Sequence, residues 1–240
     1  MKGVILAGGN GTRLDPLTKV TNKHLLPIYN KPMIYYPLET LKQLGMKEIL
    51  IVTGKGNAGD FVNLLGSGRD FGIKISYEVQ DEAGGIAQAL SLAENFANGE
   101  GVVVMLGDNI ITNCELEPIT REIDRYEAFI NLCEVPDPHR FGVAEIDDTG
   151  KIHCIEEKPR APKSNFAVIG LYAYGNSVFD VIREMKPSQR GELEITDVNN
   201  WYLKNGSLDY SFVTGNWTDA GTFESLHRAT RLVRDECNKY

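Results

Sequence analysis

The chain has 240 residues, 42% hydrophobic and 24% charged, with a formal net charge of −8. That length and apolar content allow a real core in one large α/β domain. The acidic balance excludes sequence-independent nucleic-acid binding, which needs a basic face, but it leaves room for a small anion in a local basic pocket.

The first strand is expected at Gly3–Ala7, an apolar run that breaks into Gly8, Gly9 and Gly11. A strand ending in glycines gathers backbone N–H groups into an anion-binding nest, and Arg13 and Lys23 follow closely, which together suggest a polyphosphate. Two common nucleotide motifs fail. A dinucleotide fingerprint starting at Gly9 needs glycine at 14, where Leu14 stands. A Walker A loop starting at Gly54 needs Lys at 60, where Asp60 stands. The stretch 8–32 reads as a long functional loop. Apolar spacing predicts a helix over 33–44, closed by Gly45, and then a strand over 48–53, completing a βαβ unit.

A short helix is expected at 60–65, a strand at 73–79, a Gly-containing turn at 80–85 and a helix at 86–96. The apolar run 101–106 reads as a strand running straight into Gly107-Asp108-Asn109. This repetition predicts an open, doubly wound, Rossmann-like and mostly parallel sheet. Beyond 127 the texture changes. Strands are expected at 128–135, 142–146, 151–156 and 167–174, pairing antiparallel, with a hairpin turn at 147–150. Helices follow at 177–185 and 194–205, a strand at 208–214 and a helix at 222–235. A single unit is expected over 1–240, with a mainly nucleotide-binding half (1–125) and a mainly sugar-binding half (126–240).

The four cysteines, Cys114, Cys133, Cys154 and Cys237, form no C-x-x-C pair and read as free thiols of a reducing compartment. No apolar run approaches a membrane span or a signal peptide, so a cytoplasmic location without a membrane partner is expected.

The string L-A-G-G-x-G-T-R-L-x-P-L-T over 6–18, followed by K-x-L-L-P over 23–27, resembles the signature of the sugar nucleotidyltransferases. Later segments agree in order and spacing: KPMIYYPLETL (31–41), GIAQAL (85–90), LGDN (106–109), FGV (141–143), EEKP (156–159), KSNFAVIGLY (163–172), GELEITDVN (191–199) and WTDAGT (217–222). The resemblance spans almost the whole chain. It implies the nucleotide-diphospho-sugar transferase fold, a mixed sheet with an added antiparallel sugar-binding part. It is strongest to the branch that transfers the dTMP group of dTTP to glucose 1-phosphate, giving dTDP-glucose and pyrophosphate.

Such a transfer needs alignment and charge neutralisation rather than a strong base, because the attacking phosphate oxygen is already ionised. The resemblance supplies the parts. Arg13 would orient the leaving phosphates and Lys23 would meet the reacting ones. Leu6, Gly8, Gly9, Gly11, Thr12, Gln80, Gly85 and Asp108 would bind the nucleotide. The Gln80 amide can pair with the O4/N3–H edge of thymine or uracil, and Gly85 would let the ring approach. Asp108 and Asp219 would hold Mg²⁺, a pairing that rests on the resemblance alone. Gly142, Glu157, Lys158, Val168 and Tyr172 would take the sugar phosphate. Tyr172 and Trp217 read equally as site walls or as core.

Two departures stand out. Phe141 replaces a common Tyr, and His24 replaces a common Gln, leaving His24 either a phosphate contact or a packing residue. Longer relatives add C-terminal helices that build a regulatory nucleotide site, so weak feedback control is expected here. A homo-oligomer is possible. The rival readings are a UTP-using or dual-specificity enzyme and a non-catalytic subunit that only binds a nucleotide sugar. The second would be expected to lose Arg13, Lys23, Asp108 or Asp219, and all four are present.

Overall fold

The computed structural model of the protein describes residues 1–114, 116, 123 and 125–238. The chain forms two compact units that interleave along the sequence. One comprises 2–83, 105–116 and 214–240, and the other comprises Met1 with 84–104 and 117–213.

In the unit that holds most of the N-terminal stretch, β1 (Lys2–Ala7) lies beside β4 (Glu48–Gly54), and β4 beside β5 (Lys74–Gln80), all parallel. Helices α1 (Tyr35–Gln43) and α2 (Ala58–Leu65) make the two crossovers. Residues Val4 to Ala7 and Ile49 to Val52 are buried, as expected for strands covered on both faces. Each fully buried Val or Ile here contributes about 1.5–3 kcal/mol.

The long loop carries more structure than its sequence suggests. It holds 3₁₀ turns at Thr12–Leu14 and Lys23–Leu25 and a small ladder of β2 (Pro27–Ile28) with β3 (Lys31–Pro32). Ile28 and Met33 are buried with Tyr36, Ile110, Ala220, Ala229 and Val233. That cluster ties the loop to the last helix, Phe223–Cys237.

Strand β6 (Val102–Leu106) follows the expected boundary and is fully buried over Val102–Met105. The helix expected over 86–96 is divided into α3 (Ile86–Ser91) and α4 (Glu94–Ala97), with a tight i→i−3 bond from Ala93 N–H to Leu90 O between them. A two-stranded antiparallel ribbon was not expected. It pairs β7 (Asn109–Thr112) with β13 (Asn216–Asp219). Each strand has four residues, too few for periodicity to register, and the partners lie more than a hundred residues apart.

In the other unit β11 (Phe166–Tyr174) lies between β8 (Ala128–Glu134) and β9 (Gly142–Ile146), and β9 also pairs with β10 (Ile152–Glu157); all these pairings are antiparallel. The hairpin turn at 147–150 forms as expected, with Asp147 Oδ1 accepting from the Thr149 and Lys151 amides. The strand Leu208–Phe212, β12, departs from the all-antiparallel expectation, since it pairs with β8 in parallel. Helices α5 (Val178–Glu184) and α6 (Ile195–Lys204) lie before it and supply the crossover that a parallel return requires. The result is a mixed α/β fold with parallel and antiparallel strand pairing. Among the described residues no helix is long and apolar enough to cross a membrane.

Candidate active site

The carboxyl ends of β1, β4 and β5 meet at one place, where parallel sheets put ligands. Gln80 is in register with Gly54, and the Gly8 carbonyl lies against Gly54. A side chain at residue 8 would run into the Gln80 amide oxygen, so the bare Gly8 backbone is what admits the buried Gln80 head group. Gly11 has φ of 65°, a left-handed turn, and the stem of Lys23 lies close enough that a Cβ at 11 would sit 2.9 Å from Lys23 Cβ. Leu6 is buried in β1, Thr12 opens the first 3₁₀ turn and Gly9 lies beneath the Lys23 ammonium.

The end of β6 joins this place through a hydrogen bond from Gly107 N–H to Leu6 O, 2.9 Å. Asp108 then meets Lys23, with Nζ 2.5 Å from Oδ2 and both side chains largely buried. Burial alone would push the Asp108 carboxyl up. The Lys23 ammonium, with bonds from Lys23 and Asn109, outweighs burial and holds it well below the usual carboxylate range.

The β7–β13 ribbon brings in the second aspartate, because Asp219 is in register with Asn109, next to Asp108. A Cβ placed on Gly221 would lie 3.3 Å from Asp108 Oδ2, 3.3 Å from Asp219 Oδ2 and 3.4 Å from Arg13 Nη2. The structure thus gathers Arg13, Lys23, Asp108 and Asp219, which lie far apart in the sequence. Asp219 Oδ2 accepts from Ser225 Oγ and Gly221 N–H, each at 3.3 Å. Ser225 belongs to the capping box with Thr222 that starts α7 (Phe223–Cys237), so the helix start and the carboxylate share one hydroxyl.

His24 packs rather than lining a phosphate pocket. It is 2% exposed, and its ring lies against Gly107, where a Cβ would be 2.7 Å from Cδ2. Its Nδ1 is 2.6 Å from Asn22 Oδ1, which also accepts the His24 amide. An amide oxygen only accepts, so Nδ1 carries the proton. Burial, then the neighbouring Lys23 charge, pushes the imidazole down to about 3.

The expected sugar residues lie in the other unit. Strand register aligns three of them in one row across β10, β9 and β11, because Glu157 pairs with Gly142 and Gly142 with Val168. Glu157 Oε2 accepts from Thr196 Oγ1 at 2.6 Å, and Lys158 Nζ lies 3.2 Å from Glu157 Oε1. Lys158, the next residue along the chain, donates its N–H to Phe141 O and takes a left-handed φ of 46°. Tyr172 is 3% exposed and stacks on Tyr174, which stacks on Tyr202, so it sits in the core.

Gly85 has φ of 102°, and a Cβ there would lie 2.5 Å from Leu193 O. What demands glycine at 85 in this unit is therefore the Leu193 backbone. Sequence reasoning missed Arg190, Glu194 and Thr196. Arg190 grips the buried Glu194 through Nε and Nη2 and reaches Glu157 Oε1 at 3.4 Å. The available signal was their place in and just before the GELEITDVN segment.

The nucleotidyl transferase family model matches residues 2–236. The chain belongs to that family. A Neisseria meningitidis relative named glucose-1-phosphate thymidylyltransferase is 45% identical over 98% of this chain and 83% of its own. A Mycolicibacterium smegmatis relative of the same name is 45% identical over 98% and 82%. A Bacillus anthracis structure, provisionally given that name and solved with sucrose, is 55% identical and superposes with a TM-score of 0.92 over 98% of this chain and 96% of that one. A UDP-glucose pyrophosphorylase solved with UDP-glucose superposes at 0.87, with 26% identity over 98% of each chain.

Proposed function

We propose that the protein transfers the dTMP group of dTTP to glucose 1-phosphate, giving dTDP-glucose and pyrophosphate. The observation that carries the chemistry is the convergence of Arg13, Lys23, Asp108 and Asp219 around one point. The thymidylyl specificity is taken from the relatives so named.

Gln80, buried at the strand ends beside Gly8, presents an amide that matches the pyrimidine edge. The Arg13 guanidinium, planar and always charged, clamps the β- and γ-phosphates and steadies the departing pyrophosphate. Lys23 places its ammonium beside the α-phosphate and neutralises charge as the attacking oxygen arrives. No group need remove a proton from the nucleophile.

The Asp108 and Asp219 pair fits a divalent ion of the Mg²⁺ type. Oδ2 of each carboxylate lies 3.3 Å from the same position beside Gly221, with Arg13 Nη2 3.4 Å from it, and Asp108 is held ionised. Among the described residues no larger acidic, His or Cys cluster competes, and Mg²⁺ commonly takes one or two carboxylates with phosphates and waters. When bound, such an ion neutralises phosphate charge and stabilises the oxygens of an in-line displacement. In the other unit Glu157 accepts from sugar hydroxyls and Lys158 meets the sugar phosphate. The protein works as one nucleotidyltransferase domain, in the cytoplasm.

The test is pyrophosphate release measured over all NTPs and dNTPs against a panel of sugar 1-phosphates. The expected outcome is turnover greatest with dTTP and glucose 1-phosphate. Preference for UTP would redirect the reading to the UDP-sugar branch, and nucleotide-sugar binding without turnover would establish the non-catalytic alternative.

A further inference from the structure

We propose that Asn109 and Trp217 are positioning residues that fix the rotamer of the Asp108 carboxylate, so that its Oδ2 faces the metal point beside Asp219. The inference rests on the reading of Asp108 and Asp219 as the metal pair.

The Trp217 indole Nε1 donates to Asn109 Oδ1 at 2.7 Å. An indole N–H can only donate, so the amide atom facing it must be oxygen. That settles the direction of the Asn109 amide and turns its NH₂ toward Asp108, where Nδ2 donates to Oδ1 at 3.1 Å. Asn109 is 3% exposed, so water has little access to compete for its head group. The two oxygens of Asp108 therefore differ. Oδ1 is held by an amide, and Oδ2 faces Lys23 and the point beside Gly221.

The ribbon makes this possible. Asn109 is in register with Asp219, and Trp217 lies two residues before Asp219 on the same strand, a diagonal neighbour of Asn109. One pair of short strands thus carries Asp219, the residue that orients Asp108 and the residue that orients that one. A carboxylate already held in its binding rotamer loses less freedom on taking up a cation. Removing such an outer partner typically costs about 10–100-fold in metal affinity.

The experiment uses the full chain and Mn²⁺ as the probe, followed by electron paramagnetic resonance without nucleotide, alongside melting temperature and a KM-against-kcat split. Trp217→Phe keeps a ring and removes the donor; Asn109→Ala removes the relay. Each should weaken Mn²⁺ binding by about tenfold or more, with the larger activity loss in kcat. The double variant should bind no more weakly than the worse single, because the two residues act in series. Affinity within twofold of wild type in folded Trp217→Phe, or additive losses in the double variant, would overturn the proposal. Should Asn109→Ala fail to fold, Trp217→Phe decides alone. If wild type itself binds Mn²⁺ no better than Asp108→Asn, the metal-pair reading fails, an outcome distinct from equal binding by wild type and Trp217→Phe.

Discussion

Lys23 Nζ lies 2.5 Å from Asp108 Oδ2, so the cation expected to meet phosphate is paired with the carboxylate expected to hold metal. The two side chains are 12% and 14% exposed, and the Lys23 ammonium keeps the buried Asp108 carboxylate ionised. Lys23→Met leaves the Asp108 carboxylate buried without its ammonium. Stability should fall by about 1–3 kcal/mol, less than for a fully buried pair, as measured by urea unfolding. Turnover should fall by about 10²–10³-fold, because a charge aimed at the reacting phosphate is lost. Unchanged turnover would remove Lys23 from the chemistry.

Gly221 offers a steric test of the metal point. Gly221→Ala puts a carbon 3.3 Å from both aspartate oxygens and 3.4 Å from Arg13. These contacts are tight but involve side-chain ends, so the protein should fold. Activity should fall by about tenfold or more as the added carbon crowds the two carboxylates and Arg13. Added Mg²⁺ should recover part of it in a titration of rate against metal. A variant with wild-type metal dependence would place the ion elsewhere.

His24 gives a pH signature. Unfolded, it titrates near 6.5, and folded it is pushed down to about 3. Below pH 6.5 the unfolded chain takes up a proton that the folded chain refuses, so stability falls as pH drops from 6.5 toward 3. The slope from this one group approaches about 1.4 kcal/mol per pH unit. Asp108, also depressed, adds its loss only below its unfolded value of 3.8. Urea unfolding at several pH values between 7 and 4 should show His24→Gln lacking one proton's share of the slope. Equal slopes in wild type and variant would refute the buried neutral imidazole.

The sugar row had a different legibility. Gly142, Glu157 and Val168 came from family resemblance, and nothing in their local sequence says that they share a row. Strand register decides that, and register depends on which strands pair. The same holds for the aspartate pair. Asp108 is legible as an aspartate just past an apolar strand, whereas Asp219 is named only by the resemblance of WTDAGT, and its place beside Asp108 depends on a ribbon of two four-residue strands with no local signature. Arg190 is not legible in the sequence, because an Arg beside a glycine in a charged stretch reads as solvated surface, and only the fold buries Glu194 against it.

Arg190→Ala leaves Glu194, 7% exposed, without its bidentate partner and frees Glu157 from one contact. Stability should fall by about 2 kcal/mol or more from the unpaired carboxylate. The KM for glucose 1-phosphate should rise several-fold with little change in the KM for dTTP. Arg190→Lys should recover little, since an ammonium cannot make the paired bonds. Equal effects on both substrates would argue against a role specific to the sugar side.

By itself the sequence determined the strand that ends in glycines, the βαβ order, most helix and strand positions, and the cations beside the Gly-rich turn. These are local signals, set by apolar periodicity and by what glycine permits. Tertiary structure alone decided which distant carboxylates meet Lys23 and Arg13, that His24 packs against Gly107, that β12 runs parallel to β8, and that an indole and an amide line up behind Asp108. The physical reason is that these features are pairings between segments. The free energy of a pairing belongs to two stretches of chain at once and leaves no pattern in either one alone.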